Sequence, residues 1–112
     1  MCGITGFLQP HSVQYDYKSV LESMCNALAH RGPDGSGIWL DKEHGVGLGH
    51  RRLSIVELTP AGAQPMMSLS GRYVITFNGE IYNHQALRNE LTTTFRGHSD
   101  TETLVEALAA WG

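Results

Sequence analysis

The sequence predicts an α+β domain with mainly antiparallel strands, and three observations predict it. Residues 3 to 8 (Gly-Ile-Thr-Gly-Phe-Leu) are β-prone and punctuated by glycine, a strand that begins almost at the terminus. Residues 37 to 41 and 46 to 55 read as two more strands joined through Lys42-Glu43-His44-Gly45, a β-hairpin. Around these strands, apolar residues recur at helical spacing.

Taken in order, the first helix lies between Ser19 and His30, where Val20, Leu21, Met24, Cys25, Leu28 and Ala29 form one stripe and Ser19 with Glu22 fits a capping box. Cys25 falls on the buried face, where a cysteine is ordinarily a small inert hydrophobe. Arg31-Gly32-Pro33-Asp34-Gly35 ends that helix in a turn, because the residue before a proline is pushed out of the helical region. Pro60 to Pro65 is a loop, and Arg72 to Phe77 a strand ending in Asn78-Gly79. That pair is normally a hairpin turn, but it runs into Asn83, Leu87, Leu91 and Phe95 at helical spacing, so the strand feeds a helix. A last helix follows a second capping box, Ser99-Asp100-Thr101-Glu102, with Leu104, Val105, Leu108 and Ala109 on one face. No internal repeat, low-complexity tract or linker divides the chain.

The chain's 112 residues carry 8 Lys+Arg against 11 Asp+Glu, a formal charge of −3. A slightly acidic chain without a basic run lacks the footprint of a nucleic-acid binder or a polybasic membrane patch. No apolar stretch approaches the roughly 18 to 20 residues that span a bilayer, and Met1-Cys2-Gly3 opens no signal-peptide pattern, so the expected location is cytoplasmic. Two cysteines are too few for a secreted disulfide framework. Six histidines show neither His-x-x-x-His spacing nor a Cys-x-x-Cys companion, so no metal site is expected and they read mostly as surface or loop residues. Gly45-Val46-Gly47-Leu48-Gly49 is too closely spaced for a dinucleotide fingerprint and lies in a strand pattern.

Cys2 is the informative residue, because removal of Met1 would make it the terminus and place a thiol and a free α-amine on one residue. An α-amine with an ordinary pKa of about 7.7 to 8.0 can take the proton of a thiol near 8.5, so nucleophile and base come together. By position alone the ordinary reading of Cys2 is the second residue of an exposed tail, and only neighbouring residues can change it. Acyl transfer also needs donors for an oxyanion, which the Asn78 amide and the Gly79 N–H can supply, although the same pair makes a turn. Arg52 can grip a carboxylate bidentately, and Asp100 can receive an ammonium, although an acid at a helix N-terminus is ordinary.

The combination of Met1-Cys2-Gly3-Ile4, His30-Arg31-Gly32-Pro33-Asp34, Arg52-Leu53-Ser54-Ile55-Val56, Gln64-Pro65-Met66, Asn78-Gly79-Glu80-Ile81-Tyr82-Asn83 and Ser99-Asp100-Thr101-Glu102, in this order, resembles the class II glutamine amidotransferase domain. Within that class it resembles the glutamine-hydrolysing asparagine synthetase branch. The resemblance covers nearly the whole chain. It implies an N-terminal-nucleophile hydrolase, a four-layer α-β-β-α sandwich that releases ammonia from L-glutamine through a thioester. Cys2 then matches the nucleophile, and Asn78 and Gly79 the oxyanion hole. Arg52 matches the partner of the substrate α-carboxylate, and Asp100 with help from Glu80 that of the α-ammonium, while backbone groups of Leu53, Ile55 and Val56 line the pocket. Residues 31 to 34 match a motif that shapes the loop beside the nucleophile.

In the family this domain continues into further strands and then a synthetase domain that uses ATP and Mg2+ to make asparagine, and nothing in the chain resembles the Ser-Gly-Gly-x-Asp-Ser loop of that second domain. Residues 1–112 are thus expected to be the N-terminal part of a glutaminase domain, with no cofactor of their own. The other reading is a truncated or regulatory module that keeps the fold without turnover; release of ammonia from glutamine separates the two. Strands cut in mid-domain expose edges and apolar faces, so the 112-residue chain is expected to associate with itself and to turn over little. Sedimentation at several concentrations checks this, and a concentration-independent monomer with rapid turnover overturns it.

Overall fold

The alternating run Val46-Gly-Leu-Gly-His-Arg-Arg52 forms β3, the central strand of a three-stranded antiparallel sheet in the order β1-β3-β2. The computed structural model describes residues 2–9, 16–53 and 60–112. β1 (Gly3–Leu8) sets Gly3 opposite Arg51 and Leu8 opposite Val46, while β2 (Gly35–Asp41) sets Gly35 opposite Arg52 and Asp41 opposite Val46. The hairpin between β2 and β3 is therefore as expected, with β2 starting two residues earlier and β3 running to Arg52, while residues 54 and 55 of the expected strand lie outside the described residues.

Period-two alternation gives the sheet two faces, and one of them receives α1 (Tyr17–Ala27). A β-carbon at Gly49 would collide with Cys25 Sγ, so the bare glycine is what lets the helix come down onto the strand. Tyr17, Leu21 and Cys25 are buried there, and the Phe7 and Tyr17 rings stack 5.5 Å apart. Burial pushes the Cys25 thiol above its ordinary value, in keeping with an inert core cysteine. Gly49, and Gly47 beside Phe7 and Leu21, thus serve packing on the α1 side, whereas Gly45 turns at φ 66° against the Gln9 carbonyl.

The expected capping box of α1 is replaced. Asp16 is the N-cap, its carboxylate accepting from Ser19 N–H (3.2 Å) and Ser19 Oγ (2.8 Å), and the helix ends at Ala27. An aspartate at this place satisfies the first-turn donors that a Ser19 cap would have left two residues outside the helix. Val20, assigned to the apolar stripe, is exposed.

The rest of the chain builds a second unit from β4 (Met66–Met67), β5 (Val74–Ile75), α2 (His84–Glu90) and α3 (Asp100–Trp111). β4 and β5 pair antiparallel over two residues each, much less than the strand expected over 72–77. α2 ends before Phe95, which lies in an irregular stretch with its ring 4.0 Å from the Arg88 guanidinium. Ser99 does cap α3, its Oγ accepting from Glu102 N–H, but Glu102 does not complete the box. Its buried carboxylate instead takes Arg96 N–H (2.7 Å), Arg96 Nε (3.2 Å) and Gly97 N–H (2.9 Å), with Arg88 Nη2 at 3.9 Å. Of the four apolar residues assigned to the covered face of α3, only Val105 is fully buried.

The two units meet through hydrogen bonds between the other sheet face and residues 76–77. Thr76 Oγ1 donates to Gly49 O (3.2 Å), and His50 Nε2 donates to Phe77 O (3.3 Å), since a carbonyl only accepts. His50 is 2% exposed, which corrects its reading as a surface residue. Burial holds its pKa below the ordinary 6.5, helped slightly by Arg52 and opposed by the Phe77 carbonyl. On the same sheet face Ile4 and Leu8 are exposed, and the accessible surface of 6903 Å² exceeds the roughly 6,100 Å² of a compact monomer of this mass. No helix among the described residues is long and apolar enough to cross a membrane.

Replacing Glu102 by Gln turns one acceptor of main-chain and arginine donors into a donor, inside a site with no exposure. Glu102→Gln is expected to lower stability by about 3 kcal/mol, read from the urea midpoint at unchanged slope. A loss below about 1 kcal/mol would mean that the network contributes little. For His50, the unfolded chain binds the proton first on acidification, so its contribution to stability is intact above about pH 6.5 and lost as pH falls through the lower folded value. His44, whose pKa is raised by Asp41, acts in the opposite sense. Denaturation between pH 5 and 7.5 should therefore show a shallower acid-side loss in His50→Gln than in the parent; equal slopes would count against the assignment.

Candidate active site

Cys2 immediately precedes β1, and continuing the β1–β3 register sets it opposite Arg52 at the end of the central strand. There the thiol is bracketed by one residue: Leu53 N–H donates to Sγ at 3.3 Å, and Sγ approaches Leu53 O at 3.7 Å. Cys2 is half-buried, accessible and held in place, unlike the core thiol of Cys25.

The loop after α1 clamps this strand end. Arg51 Nε donates to Gly32 O (3.1 Å), Asp34 N–H donates to Arg52 O (2.9 Å), and Pro33 bridges Arg52. At Gly32 a β-carbon would collide with the Arg51 carbonyl and the Arg52 nitrogen, so only glycine lets the two backbones come this close. The 31–34 motif thus sits next to the Arg52-Leu53 peptide that seats the Cys2 thiol. Ile55 and Val56 lie outside the described residues.

Asn78, Gly79 and Glu80 are exposed and lie between two anchored positions. Before them, Phe77 O is held by His50, two residues along β3 from Arg52 and on the same sheet face, and Phe77 N–H donates to Gln64 Oε1 at 2.6 Å. After them, Ile81 N–H donates to Asp100 Oδ2 at 2.8 Å. Gln64 Nε2 in turn donates to Thr101 Oγ1 (3.1 Å), tying the Phe77 segment to the start of α3. Through these contacts Asn78, Gly79, Glu80 and Asp100 form one neighbourhood that His50 connects to the strand of Arg52 and Leu53. His50 and Thr76 were not singled out from the sequence, and Gln64 and Thr101 only within motifs; hydrogen bonds over 13 to 37 residues leave no local pattern to read.

Among the described residues no group of three His, Cys, Asp or Glu is placed to hold a metal ion. A groove of about 350 Å³ lies on the α1 side of the sheet, lined by Glu22, Cys25, Asn26, Ser36, Gly37 and Ile38, none of them an expected site residue.

A family model described as a glutamine amidotransferase domain matches residues 1–112. Asparagine synthetase (glutamine-hydrolyzing) 3 of Bacillus subtilis (strain 168) is 40% identical over 118 residues, covering 99% of this chain and 18% of the relative. Amidase chry2 of Gibberella zeae is 38% identical over 123 residues, covering 100% of this chain and 18% of that protein. Asparagine synthetase B (glutamine-hydrolyzing) of Escherichia coli (strain K12) is 38% identical over 107 residues, covering 94% and 19%. The chain spans less than a fifth of the length of each of these relatives. With Cys2 seated against Leu53 and the Asn78-Gly79 segment tied to Asp100, and with the match running from end to end, the chain belongs to the glutamine amidotransferase domain family.

Proposed function

We propose that this chain carries the glutaminase chemistry of an asparagine synthetase, hydrolysing L-glutamine to glutamate and ammonia. The observation that carries the reading is the seat of the Cys2 thiol on the Leu53 peptide, directly after Arg52 in the chain. With Met1 removed, the α-amine of Cys2 takes the thiol proton, and Sγ attacks the side-chain carboxamide carbon of glutamine. The C–O π pair moves onto oxygen, where the Asn78 amide and the Gly79 N–H receive the charge. Collapse breaks the C–N bond; the amide nitrogen leaves as ammonia with the proton returned by the α-amine. Water then attacks the thioester through the same oxyanion hole, releasing glutamate and restoring the thiol, so the sum is glutamine plus water to glutamate plus ammonia.

Recognition in this reading uses opposite charges at the amino-acid end of the substrate. Arg52 pairs with the α-carboxylate. Asp100 takes the α-ammonium with Glu80 beside it, and the Ile81 N–H on Asp100 Oδ2 supports the placing of that carboxylate. In this reading the backbone of Leu53 lines the remainder, a role the family resemblance assigns to the backbone groups of Ile55 and Val56 as well.

The names of the relatives support a synthetase domain that uses the ammonia to make asparagine. ATP and Mg2+ belong to that domain. Residues 1–112 are then the N-terminal part of a glutaminase domain, and further strands cover the exposed Ile4 and Leu8 to make a four-layer sandwich.

Arg52→Ala and Asp100→Ala should each weaken kcat/KM for glutamine by roughly 10- to 150-fold, the loss of one charge-assisted contact of about 1.5 to 3 kcal/mol. Asn78→Ala should lower kcat by about 100- to 1,000-fold with little change in KM. Steady-state ammonia release reads all three, and an Asn78 defect lying wholly in KM would rule out its oxyanion role. A preparation shown by mass to retain Met1 should be inactive, since its Cys2 nitrogen is an amide.

A further inference from the structure

We propose that Gln64 is a positioning residue of the glutaminase site: its side chain aims the Asn78-Gly79 oxyanion donors by holding Phe77, and couples them to the Asp100 end of α3. The proposal rests on the oxyanion role of Asn78 given above. β5 stops at Ile75, so no strand ladder fixes residues 76–80. Both main-chain polar groups of Phe77 are instead held by side chains, the C=O by His50 Nε2 (3.3 Å) and the N–H by Gln64 Oε1 (2.6 Å). The peptide joining Phe77 to Asn78 is thereby oriented from outside its own strand.

The amide orientation of Gln64 follows from chemistry, because only an oxygen can face the Phe77 N–H. Nε2 is then turned toward Thr101 Oγ1 at 3.1 Å, on the residue after Asp100. One side chain thus spans the segment bearing the oxyanion donors and the helix end bearing the proposed ammonium partner. A planar group with an acceptor at one corner and a donor at the other is needed, and the shorter asparagine lacks the reach. The Gln64 backbone is itself seated on β2, where a β-carbon at Gly37 would collide with the Gln64 carbonyl. Gln64 is therefore fixed from the sheet and not from its own loop alone.

A packing role and a positioning role separate in a double-mutant cycle of Gln64→Met and Asn78→Ala, measured as kcat for ammonia release on the full-length protein. Methionine keeps length and shape but loses both hydrogen bonds. With Asn78 present, Gln64→Met should lower kcat by roughly 10- to 100-fold, as a misplaced donor does. In the Asn78→Ala background the factor should be several-fold smaller, because one of the two donors it aims is gone. The same factor in both backgrounds, or no loss in either, overturns the proposal. If Gln64→Met does not fold, the cycle is run with the isosteric Thr101→Val, which releases only the α3 end; a several-fold loss with Asn78 present that shrinks in the Asn78→Ala background is expected, and equal or absent losses overturn the proposal. Undiminished kcat in Asn78→Ala alone would sink the oxyanion assignment and this proposal with it, and is recognisable because Gln64 is untouched in that variant.

Discussion

Glu102 sits where no water reaches it, on a helix whose first turn faces the interior, and its carboxylate is satisfied by donors that come almost entirely from residues 96–97. An anion buried this way demands that those donors stay in place. The loop before α3 is therefore closed onto the helix, and Arg88 reinforces it by donating to Thr103 Oγ1, Gly97 O and Ser99 O while stacking on Phe95. Arg96 then reaches Met67 O, and Glu106, one turn on, takes the Leu69 N–H, so the β4 turn is held by the same helix. The position of Asp100, and through Ile81 the far end of the Asn78 segment, depends on this closure.

The sheet is organised by a different constraint. Bare glycine in β3 removes side chains where α1 must approach, and a glycine in the following loop lets that loop lie against the end of the same strand. Close packing converts these missing side chains into a defined separation of elements. Cys2 inherits its place from that arrangement, since its register follows the backbone pairing of β1 on β3 and its thiol meets main-chain groups of Leu53.

Between the two units there is little apolar packing among the described residues and a small set of hydrogen bonds, from His50 and Thr76. Such bonds are directional, which suits a boundary that must place polar groups rather than bury area. Burial disfavours charge on His50, whereas the hydrogen bond to the Phe77 carbonyl favours the protonated ring, so acid acts on this boundary through the cost of burying that charge and not through loss of the contact.

From sequence alone, periodicity located β1, the β2–β3 hairpin and the three helices, because those signals repeat within a few residues. The order and spacing of short motifs pointed to the family, and Cys2, Arg52, Asn78, Gly79 and Asp100 were named from them. Local patterns did not set the Asp16 cap, the two-residue length of β5 or the polar burial of α3, since each is decided by what packs or bonds against the segment from elsewhere. The same holds for Gln64 and His50: nothing nearby in the chain marks either as an anchor. Their partners lie 13 to 37 positions away, and only the folded chain, which must give every buried donor and acceptor a partner, brings them together.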